Sequence, residues 1–151
     1  MSDDGSGVPL TSRPFIAAKN ATSKIRQFED IYDENRPTTL GFRGEALFCL
    51  ANISRNLIVA TRTATDALGQ KLEFRQDGHM DRDAICEIPR KVGTTVAVVR
   101  LFDALPVRQK DLIKRIRKHR AKLMKMIQGC KCLMNISLFV LQFYLTSYFT
   151  F

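Results

Sequence analysis

The chain has 151 residues, 45% of them hydrophobic, which suffices for one domain with a packed core and excludes a mainly disordered chain. Its net charge of +9 is concentrated between Arg108 and Lys131, where ten Lys or Arg residues accompany a single acidic residue, Asp111. The four cysteines form no CxxC pair and no signal sequence is recognisable, so reduced thiols are expected, and neither disulfide bonds nor a metal site is predicted.

The first forty residues show turn signals and little periodicity. Asp-Gly and Ser-Gly pairs fall within residues 3–7, and prolines interrupt any longer pattern. Only residues 23–31 predict a helix, with Ile25, Phe28 and Ile31 on one face and Ser23 as a cap. A long irregular connection inside a compact domain is typical either of a lid over a binding site or of a disordered tail.

Two glycines three residues apart, Gly41 and Gly44, precede a run of helix formers. Such a loop offers backbone amides at a helix N-terminus, where phosphate groups bind, and Arg43 adds a cation. The same spacing is also found in plain turns, so both readings stay open on spacing alone. A helix is predicted from Gly44 to about Asn52, with residues 48–50 on its buried side.

Four strands and a long helix follow. The strands are predicted at residues 56–63, 70–76, 79–88 and 94–102, joined by short turns that favour an antiparallel sheet. Pro106 is well placed to begin a helix that reaches about Gln128, with one apolar stripe and basic residues on its other faces. Helices before and after one mainly antiparallel sheet predict an α/β (α+β) two-layer sandwich.

Four separated blocks of the chain share their order and approximate spacing with a known family. They are Asp3-Asp4-Gly5-Ser6-Gly7, Ala21-Thr22-Ser23-Lys24-Ile25, Gly41 to Leu47, and Val92 to Val96 followed by Leu105-Pro106-Val107-Arg108. In these motifs the chain resembles the MutL DNA mismatch repair proteins, most closely the eukaryotic PMS-type homologues. These proteins belong to the GHKL (Bergerat) ATPase superfamily, which also contains DNA gyrase and the histidine kinases.

The resemblance implies a partial GHKL-type ATP-binding domain at residues 1–128. Within it, residues 1–40 would carry the adenine motif and ATP lid, 41–54 the phosphate loop and its helix, 55–103 the sheet, and 105–128 the basic helix. Residues 129–151 form an apolar tail outside the resemblance. The fold would be incomplete, since the sequence begins after the family's N-terminal helix, and the chain is interpreted as a fragment.

The resemblance also implies the ATP contacts. Asp3 would accept the exocyclic amine of adenine, with Gly5 and Gly7 completing its motif and Thr94 beside the base. Without the resemblance, an exposed Asp-Gly turn and an ordinary strand threonine would be the preferred readings. The remaining predicted ATP-binding residues are those of the phosphate loop and lid: Gly41, Phe42, Arg43, Gly44, Thr22, Ser23 and Lys24.

No catalytic residue is predicted in this chain. In the family, the catalytic glutamate and the Mg²⁺-binding asparagine lie on the helix before the Asp-x-Gly-x-Gly motif, and this helix is absent from the chain. ATP remains the expected ligand, but the Mg²⁺ ligand is absent. ATP hydrolysis is therefore expected only at the background rate. Glu45 follows the glycine loop, but a carboxylate in a first helical turn is more simply a favourable charge on the helix dipole. Lys19-Asn20 replaces the family's usual Arg-His in the lid.

The basic helix and the implied parent protein suggest macromolecular partners. Non-specific DNA binding is predicted for its cationic face: Lys114, Arg115, Arg117, Lys118 and Lys122. For the full-length protein the resemblance implies a second MutL homologue as heterodimer partner, MutS-type mismatch recognition proteins, ATP hydrolysis coupled to mismatch repair, and a nuclear location.

On the residues alone, two alternatives to an ATP-binding domain remain open. Residues 132–151 carry no charge and follow a basic stretch, which would suit a membrane tail anchor, although six polar residues dilute the segment and disfavour it. The other alternative is a DNA-binding module in which the basic helix acts alone.

Overall fold

The computed structural model describes residues 1–22 and 43–134, with only the backbone for 127–134. The predicted helix at 23–31 and most of the apolar tail therefore lie outside the described residues. The described elements, in chain order, are β1 (Ser2–Asp3), a 3₁₀ helix (Leu10–Phe15), α1 (Ala46–Ile53), β2 (Ser54–Arg62), β3 (Gly69–Phe74), β4 (Met80–Ile88), β5 (Gly93–Leu101) and α2 (Pro106–Met134).

The strands form one antiparallel sheet in the order β1-β5-β2-β3-β4. The four predicted strands are confirmed, each with ends within two residues of the prediction. β1 was not predicted, because only two residues pair there and the Asp-Gly sequence that follows favours a turn. The short strand brings the N-terminal motif onto β5, with Asp3 opposite Thr94.

One face of the sheet, called the inner face here, holds the core. Leu57 and Val59 of β2 are fully buried and lie opposite Phe74 and Leu72 of β3, which are 1% exposed. Ala51 of α1 is also fully buried against this face. Because side chains alternate along a strand, the same face continues on β5. The observed architecture confirms a mixed α/β fold with a mainly antiparallel sheet.

Helix α1 starts two residues after Gly44, whose φ is +65°, with Glu45 as its N-cap. It ends at Ser54, whose hydroxyl donates to the carbonyl of Leu50 at 2.7 Å. The prediction that Cys49 is buried is wrong: its side chain is exposed, since the helix turns Ala51 onto the sheet instead.

Helix α2 differs from the prediction in length and packing. It continues to Met134, six residues beyond the predicted end at Gln128. Its apolar stripe was expected to help cover the sheet, yet Ile113 is 46% and Met124 40% exposed. Within the described residues, α1 packs on the strands, whereas most side chains of α2 up to residue 126 are exposed.

Candidate functional site

Asp3 joins two motifs that are 91 residues apart in sequence. Its Oδ1 accepts the backbone N–H of Gly5 at 3.0 Å and that of Thr94 at 3.1 Å. Backbone amides that converge on one carboxylate oxygen fix the orientation of the side chain. Among the described residues, Oδ2 has no such donor, so it is the oxygen available to a ligand.

Two glycines allow this junction to close. A Cβ at Gly93, where φ is +129°, would lie 2.3 Å from the carbonyl oxygen of Asp3. A Cβ at Gly7, where φ is +76°, would lie 2.1 Å from the carbonyl oxygen of Arg62. Both the dihedral angles and the close backbone approach exclude a side chain.

Thr94 lies on the inner face directly opposite Thr61 of β2. Their hydroxyl oxygens are 3.2 Å apart, and the Thr61 hydroxyl also accepts the backbone N–H of Val8 at 2.9 Å. Thr61 is fully buried and was not among the predicted site residues. The available signal was a polar residue at a strand position whose neighbours two and four residues away, Val59 and Leu57, lie on the buried face.

The start of the predicted lid meets the predicted phosphate loop. A Cβ at Gly44 would lie 2.1 Å from the carbonyl oxygen of Ala21, so the two backbones are in direct contact. Thr22 and Arg43 are therefore brought to neighbouring positions, and both side chains are exposed. Gly44 lies two residues before α1, next to its N-cap Glu45.

Not every predicted site residue can be placed. Asp3, Gly5, Gly7 and Thr94 come together around β1 and β5, and Thr22, Arg43 and Gly44 form a second group. The predicted residues outside the described ranges are Ser23, Lys24, Gly41 and Phe42.

A buried ion pair anchors the segment between the two groups. Arg13, only 2% exposed, pairs with the carboxylate of Asp66 in the β2–β3 connection and donates to Gln70 Oε1 at 2.7 Å. Two hydrogen bonds from Thr63, from its backbone N–H and from its hydroxyl, lower the pKa of Asp66, and Arg13 lowers it further. Such a network is expected to hold the 3₁₀ helix firmly on the sheet edge.

Arg90 lies on the opposite side of β5, in the β4–β5 connection. Its Nη2 donates to the hydroxyl of Thr95 at 3.4 Å, and Thr95 in turn contacts the hydroxyl of Ser2 at 2.8 Å. Burial lowers the pKa of Arg90, while attraction from Asp3 raises it. Its Nη1 is buried and has no hydrogen-bond partner within the part of the chain that the structure describes.

The basic face of α2 is a second candidate surface, formed by other residues than those around Asp3 and Gly44. The five predicted DNA-binding residues, Lys114, Arg115, Arg117, Lys118 and Lys122, are all exposed. Arg115 contacts Asp111, one turn earlier, at 3.0 Å, and Asp111 is the single acidic residue of this region. At 100° per residue, Lys114, Lys118 and Lys125 share one side of the helix.

Sequence comparison places the chain among mismatch repair proteins. It is 39% identical over 128 residues to the DNA mismatch repair protein PMS1 of Saccharomyces cerevisiae, a match that covers 85% of this chain. It is 36% identical over 129 residues to the mismatch repair endonuclease PMS2 of Homo sapiens, also over 85% of this chain. With MutL of Syntrophus aciditrophicus it shares 41% identity over 113 residues, or 74% of this chain.

The chain belongs to the MutL and PMS family of DNA mismatch repair proteins. No family profile matches it. The chain spans only 14% of the yeast and human relatives and 17% of the bacterial one, so it corresponds to a small part of each.

Solved structures agree with this membership. The crystal structure of the N-terminal domain of a DNA repair protein matches with a TM-score of 0.65 and 38% identity, over 85% of this chain and 34% of that one. The MutL ATPase domain of Aquifex aeolicus, complexed with ADP, matches with a TM-score of 0.54 and 19% identity, over 86% of this chain and 41% of that one. The fold of this MutL/PMS chain is thus that of the GHKL ATPase domain.

Within residues 1–22 and 43–134 of this MutL/PMS chain, no three His, Cys, Asp or Glu side chains are grouped to hold a metal ion. No helix in the same residues is both long and apolar enough to span a membrane.

Proposed function

We propose that this chain binds ATP in the manner of a MutL-type ATPase domain, with the adenine at Asp3 and Thr94. The observation that carries the proposal is the junction at Asp3, where one carboxylate oxygen is held by two backbone amides and the other is available. A fixed acceptor at this position suits the exocyclic amine of adenine. Gly7 and Gly93 serve this site by allowing the backbones to approach, and Gly5 donates one of the two amides that hold Asp3.

The phosphates would extend toward the loop that ends at Gly44. Gly41, Phe42, Arg43 and Gly44 would offer amides and a cation, and Thr22, Ser23 and Lys24 would supply polar groups from the lid. The contact between Gly44 and Ala21 supports this arrangement, since it joins the lid segment to the loop. We assign no Mg²⁺ ligand within this chain, and we assign no residue to the hydrolytic step.

Binding of a non-hydrolysable ATP analogue tests the proposal. Asp3→Asn keeps one oxygen for the two backbone amides but replaces the other with an NH₂ group, which cannot accept from adenine. We expect the affinity to fall roughly ten- to a hundredfold, as for other hydrogen bonds to a charged group. Asp4→Asn, which makes the same charge change at an exposed neighbour, is the control. Equal affinity of Asp3→Asn and the unaltered chain in calorimetry would contradict the proposal.

A second function, non-specific DNA binding by α2, is supported by the exposure of its cations. Lys114, Arg117 and Lys118 carry their charge into solvent from a helix that does not pack on the sheet. Cations at helical spacing meet phosphates and not base edges, so binding should be insensitive to sequence and sensitive to salt.

Titration of the whole chain against duplexes of unrelated sequence at several salt concentrations tests this function. Each phosphate contact contributes a slope of about 0.9 in log affinity against log salt, so Gln at Lys114, Arg117 and Lys118 should flatten the slope for every duplex. The matched control removes three exposed cations elsewhere: Lys19, Arg55 and Arg82. If both triple variants lose affinity equally, net charge and not α2 is responsible.

We further propose, on family membership, that the full-length protein couples ATP hydrolysis to mismatch repair in the nucleus. Its partners would be a second MutL homologue and a MutS-type mismatch recognition protein. Co-purification of the tagged full-length protein from nuclear extract, with and without an ATP analogue, tests these partners. A membrane anchor is not part of the proposal.

A further inference from the structure

Thr61 is the central residue of a group of hydrogen bonds next to Thr94, at the proposed adenine end of the candidate site. It is fully buried on β2, at the inner-face position opposite Thr94. Three groups surround its hydroxyl oxygen: the N–H of Val8 at 2.9 Å, the hydroxyl of Thr94 at 3.2 Å and the carbonyl of Gly93 at 3.3 Å.

The number of protons limits the directions of these hydrogen bonds. A threonine hydroxyl has one proton to donate and two lone pairs that accept. Val8 N–H takes one lone pair of the Thr61 hydroxyl, and the carbonyl of Gly93 can only accept. Between the two threonine hydroxyls either oxygen can be the donor. When the Thr61 proton is donated to Gly93, the second lone pair is left for the proton of Thr94.

This direction leaves the Thr94 hydroxyl as an acceptor on its other side. Asp3, opposite Thr94 in the β1–β5 pairing, is an acceptor as well. Two acceptors side by side suit an amine such as N6 of adenine and disfavour the O6 carbonyl that guanine carries at the same position.

We propose that Thr61 is a positioning residue that sets Thr94 as an acceptor and so makes the site selective for adenine over guanine. The inference rests on the proposed nucleotide binding and adds the residue that sets base selectivity.

Arg13 stabilises the position of Val8, which donates to Thr61. Its Nε donates to the carbonyl of Val8 at 3.0 Å, on the residue whose N–H fills the first lone pair of Thr61. The guanidinium is itself held by Asp66 and Gln70. The Val8 amide is therefore held at Thr61, where it occupies one of the two lone pairs of the hydroxyl.

The test compares the affinities of the full chain for the imido analogues of ATP and GTP by calorimetry. Thr61→Val keeps the shape and the β-branch but removes the hydroxyl, so Thr94 is free to rotate its proton toward the base. We expect the ratio of ATP-analogue to GTP-analogue affinity to fall about tenfold, the effect of one hydrogen bond. Thr61→Ser restores the hydroxyl and is expected to restore the ratio.

Thr95→Val is the matched control, because this neighbouring hydroxyl faces Ser2 on the other side of the sheet. If Thr61→Val does not fold, Thr61→Cys replaces it, since a buried thiol packs well and is only a weak hydrogen-bonding group. A structural role alone would lower the melting temperature, or weaken both analogues equally, without changing the ratio.

The outcomes separate the two proposals. An unaltered chain that binds neither analogue overturns nucleotide binding and, with it, this inference. Binding that Asp3→Asn weakens, but whose base selectivity is unchanged in both Thr61→Val and Thr61→Cys, overturns the role of Thr61 alone. Loss of selectivity in Thr61→Val with recovery in Thr61→Ser supports it.

Discussion

At the scale of single residues, the candidate site depends on backbone contacts that only glycine permits. Gly93 combines a φ of +129° with a carbonyl that would lie 2.3 Å from any added Cβ. That carbonyl belongs to Asp3, so the same glycine controls how β1 pairs with β5 and where the Asp3 carboxylate lies.

Gly93→Ala is therefore expected to destabilise the chain and to weaken ATP-analogue binding together. The strained dihedral alone costs about 1–3 kcal/mol, and the clash adds to it. Urea unfolding and calorimetry measure the two effects. Ser6→Ala, at an exposed residue one position before Gly7, should change neither. A Gly93→Ala chain as stable as the unaltered one would show that β1 can leave β5 without cost.

Asp66 provides a residue-scale prediction of pH dependence. Its pKa is lowered in the folded chain by the Thr63 hydrogen bonds and by Arg13. A carboxyl with a lowered folded pKa stabilises the fold above its unfolded pKa, and this contribution is lost as the pH falls through the folded value.

Asp66→Asn should thus lower the melting temperature at neutral pH, and the difference from the unaltered chain should shrink below about pH 4, where free carboxyls protonate. Thermal melts from pH 7 to pH 2.5 measure this. Asp83→Asn, at an exposed carboxylate on β4, should show little difference at any pH. A difference that stays constant with pH would mean that ionisation of Asp66 does not stabilise the fold.

At the scale of elements, β2 is the strand on which the sheet depends. It pairs with β5 on one side and β3 on the other, and its inner-face residues carry both the core and Thr61. Leu57 is fully buried between Val98 and Phe74, its partners across the sheet.

Leu57→Ala should cost about 2–5 kcal/mol of unfolding free energy, because it leaves a cavity in the only core that the described residues form. Leu68→Ala removes the same atoms from a side chain that is 46% exposed, and should cost less than about 0.5 kcal/mol. Denaturant unfolding of both variants makes the comparison. Similar losses would place the core elsewhere than on the inner face of β2.

At the scale of the whole molecule, charge and apolar surface are unevenly distributed. The net charge of +9 is carried by α2, and α2 also exposes Ile113, Met124 and Met126. A solvent-exposed apolar stripe on a helix that does not pack on its own sheet favours contact between molecules.

We therefore expect the isolated chain to self-associate as its concentration rises, and Ile113→Gln with Met124→Gln to reduce this association. Ala121→Gln, on the basic side of the same helix, should leave it unchanged. Sedimentation velocity over a concentration series distinguishes the variants. A chain that is monomeric at high concentration would contradict the expectation.

Four of the five described strands, the places where glycine is required and the family could be predicted from the sequence. Alternating apolar residues require a pleated strand, and a glycine at a tight turn or a close approach follows from sterics, so both are local properties that can be read along the chain. The motif order around Asp3, Gly44 and Thr94 was equally local, and the sequence comparison confirmed the family that it indicated.

Only the tertiary structure decided which of these residues meet. The two-residue strand β1 pairs with residues more than ninety positions away, Arg13 pairs with Asp66 53 positions away, and the Thr61 hydroxyl contacts Thr94 33 positions away. The hydrogen bonds from Val8 to Thr61 and from Thr94 to Asp3 thus join three chain segments. Such contacts have no period or spacing, since they depend on strand order and register, which form only when the sheet does. For the same reason, the amphipathic pattern predicted that α2 is a helix, but it did not predict that the apolar stripe of α2 is exposed, because exposure depends on the tertiary structure.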